Sequence, residues 1–300
     1  MPQEQTIGRP LITVIMPVYN AAPYLAFSID SILKQSLQDF EFIIVNDGST
    51  DDSLSIIEKY QNPKIFIISQ NNQGIVKALN VGLSLARGKF IARMDADDIS
   101  IHDRFEKQIQ YMESQSLDLC GSQLGVMDDN NRIYRHISMP TKADWLAVTL
   151  ACTVPFAHGS VMMRRSFLDS KSFSYAPGLV EDYSLWCSMY EHGAQMGNVN
   201  EELYIYRDHQ SLSKLRISDI QIATSNQRRE FIKKSFSSLK GSIIRIIQEP
   251  QKYSIKEESF LLLASYLMFK QNKDPLVFQV IKRVSFASIL LALFKLQKGF

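Results

Sequence analysis

The stretch GKFIARMDADDIS, residues 88–100, decides how the first part of the chain is read. A short strand-like run, KFIARM (89–94), ends in three carboxylates within four positions: Asp95, Asp97 and Asp98. Like charges this close repel one another, so the turn requires a positive partner. Upstream, LITVIM (11–16), FEFIIV (40–45) and KIFIIS (64–69) have the same β-branched, apolar character and the same abrupt polar ends. Such runs read as strands buried on both faces. Helical stretches at about 22–36, 51–61 and 73–87 separate them. The alternation predicts an α/β fold with a mostly parallel central sheet and helices on both faces.

Turn chemistry supports the alternation. Ser49, Thr50 and Asp51 are N-cap candidates after the second strand, and Gly88 stands where a helix should stop. Phe105, Ile109 and Met112 keep helical spacing over 103–115. Beyond 117, LDLCGSQLGVM and RIYRHISM read as strands around a DDNN turn, followed by a helix near 142–151. HGSVMM (158–163) reads as a strand, VEDYSLWCSMYEHG as a helix ended by Gly193, and ELYIYR as a last strand. From about 215 onward the signals are helical, which predicts a body over 1–213 and a C-terminal helical region over 214–300.

Of the 300 residues, 45% are apolar and 21% charged, a globular balance. The net charge of +2 argues against nucleic acid as a partner. From Lys240 onward ten Lys/Arg face four Asp/Glu, a surplus of +6, which leaves −4 for the first 239 residues. Three cysteines, Cys120, Cys152 and Cys187, with no CxxC pair, disfavour disulfide or zinc frameworks. No signal peptide is visible in MPQEQTIGRP, so the expected setting is cytoplasmic.

In open α/β sheets ligands bind outside the carboxyl ends of the strands. There this sequence places PVYN (Pro17, Tyr19, Asn20), NDGSTD (Asp47), QNNQG (Asn72, Gly74) and DADD. Each alone is readable as turn and cap residues. Asp95 and Asp97 form a D-x-D pair, a hard-oxygen set suited to Mg²⁺ or Mn²⁺ together with substrate phosphates.

ITVIMPVYN, FIIVNDGSTDDS, NNQGIVKALNVGLSLARGKFIARMDADD and VEDYSLW together resemble the successive signatures of the family 2 inverting glycosyltransferases, over roughly residues 11–213. The resemblance implies a GT-A fold, Rossmann-like, with a nucleotide-sugar half at about 11–116 and an acceptor half at about 117–213. It implies that Tyr19, after Pro17, lies against the nucleotide base, that Asp47 reads the base edge, that Asp95 holds the ribose and that Asp97 ligates the metal. Asn20, Asn72 and Gly74 fall on the same donor side. The E-D pair supplies Asp182 as catalytic base with Glu181 beside it, and Trp186 follows on the acceptor side. Asp98 is expected to support the turn or cap the next helix. The implied reaction moves one sugar from a nucleotide-sugar donor, UDP by default, to a saccharide or lipid-linked saccharide acceptor in cell-surface polysaccharide or glycolipid assembly.

Other residues keep two readings. His158 is a core histidine or an acceptor contact; Arg207 and His209, after the last strand, are surface residues or diphosphate and metal partners. Lys77 and Arg93 are diphosphate cations or partners of the acidic cluster. The chain lacks the Q-x-x-R-W block of processive members and any apolar run of about 20 residues, so single-sugar transfer is expected. Residues 276–300 carry four basic and no acidic residues, which suits a peripheral contact with the inner face of the membrane, a cap on the chain's own core or a homodimer contact. A non-catalytic nucleotide- or saccharide-binding protein, a nucleotidyltransferase and a D-x-D phosphohydrolase remain competing classes at this stage.

Overall fold

The computed structural model describes residues 8–209, 217–248, 253–282, 284, 288, 289 and 292. By compactness the chain divides into two units: 1–138, 156–176 and 199–209 form the first, and 139–155, 177–198 and 210–300 the second. The division thus does not follow chain order at 213. Two inner segments join the C-terminal helices because their own helices pack there.

The first unit is built on β1 (Ile12–Val18), β2 (Phe40–Asp47), β3 (Ile65–Gln70), β4 (Phe90–Arg93), β5 (Ile99–Ser100), β6 (Leu119–Met127), β7 (Ile133–Ile137), β8 (Met162–Arg164) and β9 (Met196–Arg207). The sheet order is β3-β2-β1-β4-β8-β6-β9-β5, with β7 paired to β6. β1 pairs in parallel with β2 and β4, and β2 with β3; β4–β8, β6–β8, β6–β7 and β5–β9 are antiparallel. The sheet is therefore a mixed one: the alternating first hundred residues supply its parallel half, and the later strands extend it antiparallel. β2 and β3 lie to one side of β1 and β4 to the other, which makes the carboxyl edge of β1 and β4 a topological switch point.

Helices α1 (Ala22–Leu33), α2 (Ser53–Glu58), α3 (Ile75–Leu85), α4 (Arg104–Ser114) and α6 (Arg165–Lys171) belong to this unit. Pro23 in the first turn of α1 fits the missing donors there. Asp51 accepts the N–H of Ala22 at 3.0 Å and that of Ser53 at 3.0 Å, so the DGSTDD turn caps both α1 and α2. Gly82 lets α3 settle on β1, since a Cβ there would lie 2.4 Å from Ile15 Cγ2.

Three details depart from the sequence reading. β3 is an edge strand with Phe66 and Ile67 exposed, not a strand buried on both faces. His158–Ser160 form a 3₁₀ turn, and the strand begins only at Met162. α3 ends at Leu85, before Gly88; the glycine is instead required by close approach, since a Cβ there would lie 2.4 Å from Thr13 N and 2.6 Å from Ile12 C.

The second unit contains α5 (Ala143–Leu150), α7 (Glu181–Glu191), α8 (Ile217–Lys234), α9 (Phe236–Gln248), α10 (Ile255–Asn272) and α11 (Leu276–Ile281). α5 packs on α9 and α10, and α7 on α8. Ser254 and Glu257 close a capping box at the start of α10. In α11 Leu276, Val277 and Val280 are buried while Phe278 and Ile281 are exposed. Most of the 276–300 amphipathic stretch lies outside the described residues. Among the described residues no helix is long and apolar enough to cross a membrane.

Gly88→Ala should lower stability by about 1–3 kcal/mol, because backbone rather than a flexible side chain must yield. Urea denaturation of the purified variant reads this as a lower midpoint at unchanged slope; an unchanged midpoint would refute the close-approach account.

Candidate functional site

The carboxyl edge of the parallel strands gathers the polar turns. After β1, Tyr19 is 43% exposed and Asn20 takes a left-handed conformation with φ 50°, which Asn tolerates. Asn20 Oδ1 accepts the Thr50 N–H at 2.8 Å, and Asn20 N–H donates to Ser49 Oγ at 3.1 Å. Pro17 is partly buried at the end of the strand.

After β2, Asp47 is buried and its carboxylate binds the loop that follows β3. Oδ1 accepts from Gln70 Nε2 at 2.6 Å and from Gln73 N–H at 3.0 Å; Oδ2 accepts from Gly74 N–H at 2.8 Å. The two loops touch so closely that a Cβ on Gly48, which has φ 70°, would lie 2.6 Å from Asn72 N. Gly74 opens α3 with φ 87°, and Asn72 and Lys77 are exposed beside it. Asp47 thus organises the loop that carries these donor-side candidates.

At the end of β4 the three carboxylates find separate partners. Asp95 Oδ1 pairs with Arg93 Nη2 at 2.6 Å; Arg93 itself is 1% exposed. Of the two readings of Arg93, the structure therefore gives the core-pairing one. Burial raises the Asp95 pKa against the pull of Arg93. Asp97 Oδ2 lies 2.7 Å from His209 Nε2, both side chains remaining partly exposed at 32% and 19%. Asp98 is buried; its Oδ1 accepts the Arg207 N–H at 2.7 Å and its carbonyl the Ser28 hydroxyl at 2.7 Å. Burial, then Asp95 and Asp97, push the Asp98 pKa well above the usual carboxylate range. Asp98 supports the turn rather than capping a helix.

Arg207 is not a surface cation. It is buried, donates to the carbonyls of Asp97 (2.9 Å) and Asp128 (3.2 Å) and to Asn131 Oδ1 (2.7 Å), and lies 4.4 Å from the Tyr24 ring centre. It ties the acidic turn to the hairpin between β6 and β7. Tyr24 Oη donates to Asp129 Oδ1 at 3.0 Å, and its ring lies 5.1 Å from that of His209.

Beneath the turn, Tyr204 Oη accepts the Asp95 N–H at 3.2 Å. A Cβ on Gly159 would lie 1.9 Å from that Oη and 2.5 Å from Asp95 Oδ2, so only glycine fits there. Sequence reasoning missed Tyr24, Tyr204, Gly159 and the hairpin loop; a glycine after His158 was the one local signal of close approach. His158 Nε2 lies 3.0 Å from Tyr175 Oη, and burial, then Arg93, push its pKa well below the ordinary histidine value.

In the second unit, Glu181 and Asp182 occupy the first turn of α7, favourable against the helix dipole. Asp182 is partly exposed and its Oδ1 accepts the Tyr183 N–H at 2.6 Å. Trp186, expected on the acceptor side, is fully buried; as core packing of α7 it offers no face to a saccharide.

Asp97 and His209 supply the oxygen and nitrogen ligands a divalent cation takes, whereas Asp95 is engaged by Arg93. Among the described residues no three His, Cys, Asp or Glu side chains converge as a ready-made metal cage. The residues fit a site in which the protein provides two ligands and the substrate the rest.

A neutral His158 makes the fold acid-sensitive. The unfolded chain protonates this residue below about pH 6.5 and the folded chain only well below that, so stability falls as pH drops through the window. His158→Gln removes that component, and the raised carboxylates, present in both proteins, cancel in the comparison. The urea-midpoint gap between wild type and variant should narrow from about pH 7.5 to about 5.5. A constant gap would mean the imidazole is charged in the folded protein.

The description Glycosyl transferase family 2 matches residues 13–172. The putative glycosyltransferase EpsE of Bacillus subtilis is 34% identical over 69% of this chain and 76% of its own length. WfaP of Escherichia coli, a UDP-Glc:α-D-GlcNAc-diphosphoundecaprenol β-1,3-glucosyltransferase, is 30% identical over 66% of this chain and 78% of its own. Among solved structures, Staphylococcus aureus TarS 1–349 with UDP-GlcNAc superposes with a TM-score of 0.58 at 18% identity, covering 87% of this chain and 88% of that one. The mannosyltransferase PcManGT of Pyrobaculum calidifontis, with GDP-Man and Mn²⁺, gives 0.56 at 16% identity, covering 98% and 82%. The mixed curled sheet with its flanking helices is the GT-A fold, and the chain belongs to glycosyltransferase family 2.

Proposed function

We propose that this glycosyltransferase moves a single sugar, with inversion, from a nucleoside-diphosphate sugar to a saccharide or lipid-linked saccharide in the assembly of cell-surface polysaccharide or glycolipid. The observation that carries the reading is the Asp97–His209 pair, 2.7 Å apart and partly open to solvent at the carboxyl edge of the parallel strands. Asp97 and His209 would hold a Mn²⁺ or Mg²⁺ ion, which when bound neutralises charge on the leaving diphosphate. Arg93 fixes Asp95 for the ribose, and Tyr19, exposed, offers its ring to the base. Asp47 holds the loop with Asn72 and Gly74 in place from below.

Asp182 is the general base that removes the acceptor hydroxyl proton, with Glu181 and His158 on the acceptor side. The partial exposure of Asp182 at a helix start supports this role. A lipid-linked acceptor is supported by the name of WfaP, and UDP by the names of WfaP and the TarS complex; the GDP-Man complex of PcManGT makes the base an experimental question. The reading includes a cytoplasmic setting and a peripheral membrane contact through the basic stretch 276–300.

Thermal shift with UDP, GDP, dTDP and CDP, each with and without Mn²⁺, should show metal-dependent stabilisation by one of them. That stabilisation should vanish in Asp97→Ala; stabilisation by none would sink the donor site. Asp98→Ala should instead lower the melting temperature without any nucleotide, because it exposes the buried Arg207 contact.

Asp182→Asn should cut turnover by about 10²–10⁴-fold while nucleotide binding stays near wild type. The measurement is released nucleoside diphosphate beside the same thermal shift; wild-type turnover in the variant would remove Asp182 from the role of base.

A further inference from the structure

The amino ends of the parallel strands carry a second polar concentration, of opposite sign. A cavity of about 420 Å³ opens there, lined by Arg9, Arg87, Lys89 and Arg165 together with Asp39 and Asp169. Arg9 lies just before β1, Asp39 directly before β2 and Lys89 directly before β4. Arg165 follows β8, whose Arg164 pairs across from Phe90 at the start of β4. The cavity is thus at the opposite edge of the sheet from the Asp95–Asp98 turn.

Arg87 and Lys89 are tethered by carboxylates outside the cavity lining. Arg87 Nε donates to Glu41 Oε2 at 2.8 Å, and Glu41 is buried within β2, where it also accepts the Thr13 hydroxyl at 2.6 Å. The Arg87 guanidinium lies 5.5 Å from the Phe66 ring, and Lys89 Nζ 5.2 Å from the Phe90 ring. Lys89 gives one N–H to Glu113 at 2.8 Å, a carboxylate it shares with Arg164 at 3.3 Å. Arg165 meets Asp169 at 3.3 Å in an i,i+4 surface pair, worth only about 0.3–0.5 kcal/mol.

Ordinary surface ion pairing accounts for some of these contacts but not for the sum. A guanidinium or ammonium has more N–H donors than one carboxylate contact uses, and the cavity wall itself carries four cations and two carboxylates, with Glu41 and Glu113 outside the wall. Guanidinium forks lining a cavity match the many acceptor oxygens of a phosphate better than any neutral group. We propose that this cavity is a binding site for a phosphate ester or diphosphate, separate from the donor site and independent of a metal. The volume exceeds that of the phosphate alone and leaves room for the group bearing it.

The test is calorimetric titration of the full chain with inorganic pyrophosphate in EDTA, which silences any metal-bridged site. Saturable binding is expected, weakened about 10- to 100-fold in Lys89→Gln/Arg165→Gln. Arg87→Lys, which keeps a charge beside Glu41 but loses the fork, should weaken it about tenfold. Asp97→Ala should bind like wild type. No saturable binding, equal affinity in the double variant, or loss of binding in Asp97→Ala would each overturn the proposal. Flotation with phosphatidylglycerol against phosphatidylcholine vesicles identifies the source. Phosphatidylglycerol-selective flotation that pyrophosphate displaces and the double variant lacks assigns a lipid phosphate; pyrophosphate binding without such flotation assigns a free ester.

Discussion

The structure turns on how the repulsion among Asp95, Asp97 and Asp98 is relieved. Two buried arginines, each 1% exposed, meet the turn from beneath, Arg93 at the end of β4 and Arg207 at the end of β9, and the raised pKa of Asp98 favours its neutral form. Arg93 takes the Asp95 carboxylate; Arg207 takes the Asp97 carbonyl and, through its own N–H, the Asp98 carboxylate. Asp97 is left facing the imidazole of His209, a group that can ligate a cation beside it. The turn can therefore keep an exposed carboxylate without the repulsion of three bare ones.

That solution dictates the antiparallel half of the sheet. Arg207 reaches the turn because β9 runs beside β5 with Ile99 opposite Ile205, and because the β6–β7 hairpin supplies Asp128 and Asn131 for its remaining donors. Arg104, also buried, donates to the carbonyls of Arg93 and Val161 and lies 5.2 Å from the Tyr204 ring; burial pushes its pKa down to about 10. Removing one partner from a buried pair typically costs about 3–5 kcal/mol, more than the pair contributes over an apolar replacement. The network orients the Asp95 carboxylate through Arg93 and the Asp97 backbone through Arg207.

The parallel half was legible because an apolar run of six or seven residues followed by a polar turn has few other readings. The same run could not say whether β3 was central or at the edge, since Phe66 and Ile67 look alike in either place. HGSVMM hid a turn because Gly159 is demanded by Tyr204, a partner 45 residues further on, rather than by local conformation. Arg207 keeps both a surface and a diphosphate reading in the sequence, and Trp186 an acceptor-side one, because a cation or an indole in a motif does not reveal which side of it is covered. The antiparallel strands were each visible, but their order depends on pairings distant in sequence, which spacing does not encode.

The two ends of the sheet then divide the electrostatics between them. At the carboxyl edge, carboxylates backed by buried arginines leave an exposed acidic oxygen, a surface that suits a cation. At the amino edge the order is inverted: Glu41 is the buried charge and Arg87 the group in front of it, so the charge that faces solvent is positive. In both places an ion pair oriented across the sheet surface presents one sign to solvent and hides the other. Under the two proposals the acidic edge takes phosphate through a metal and the basic edge takes it without one, so a chelator would separate the two.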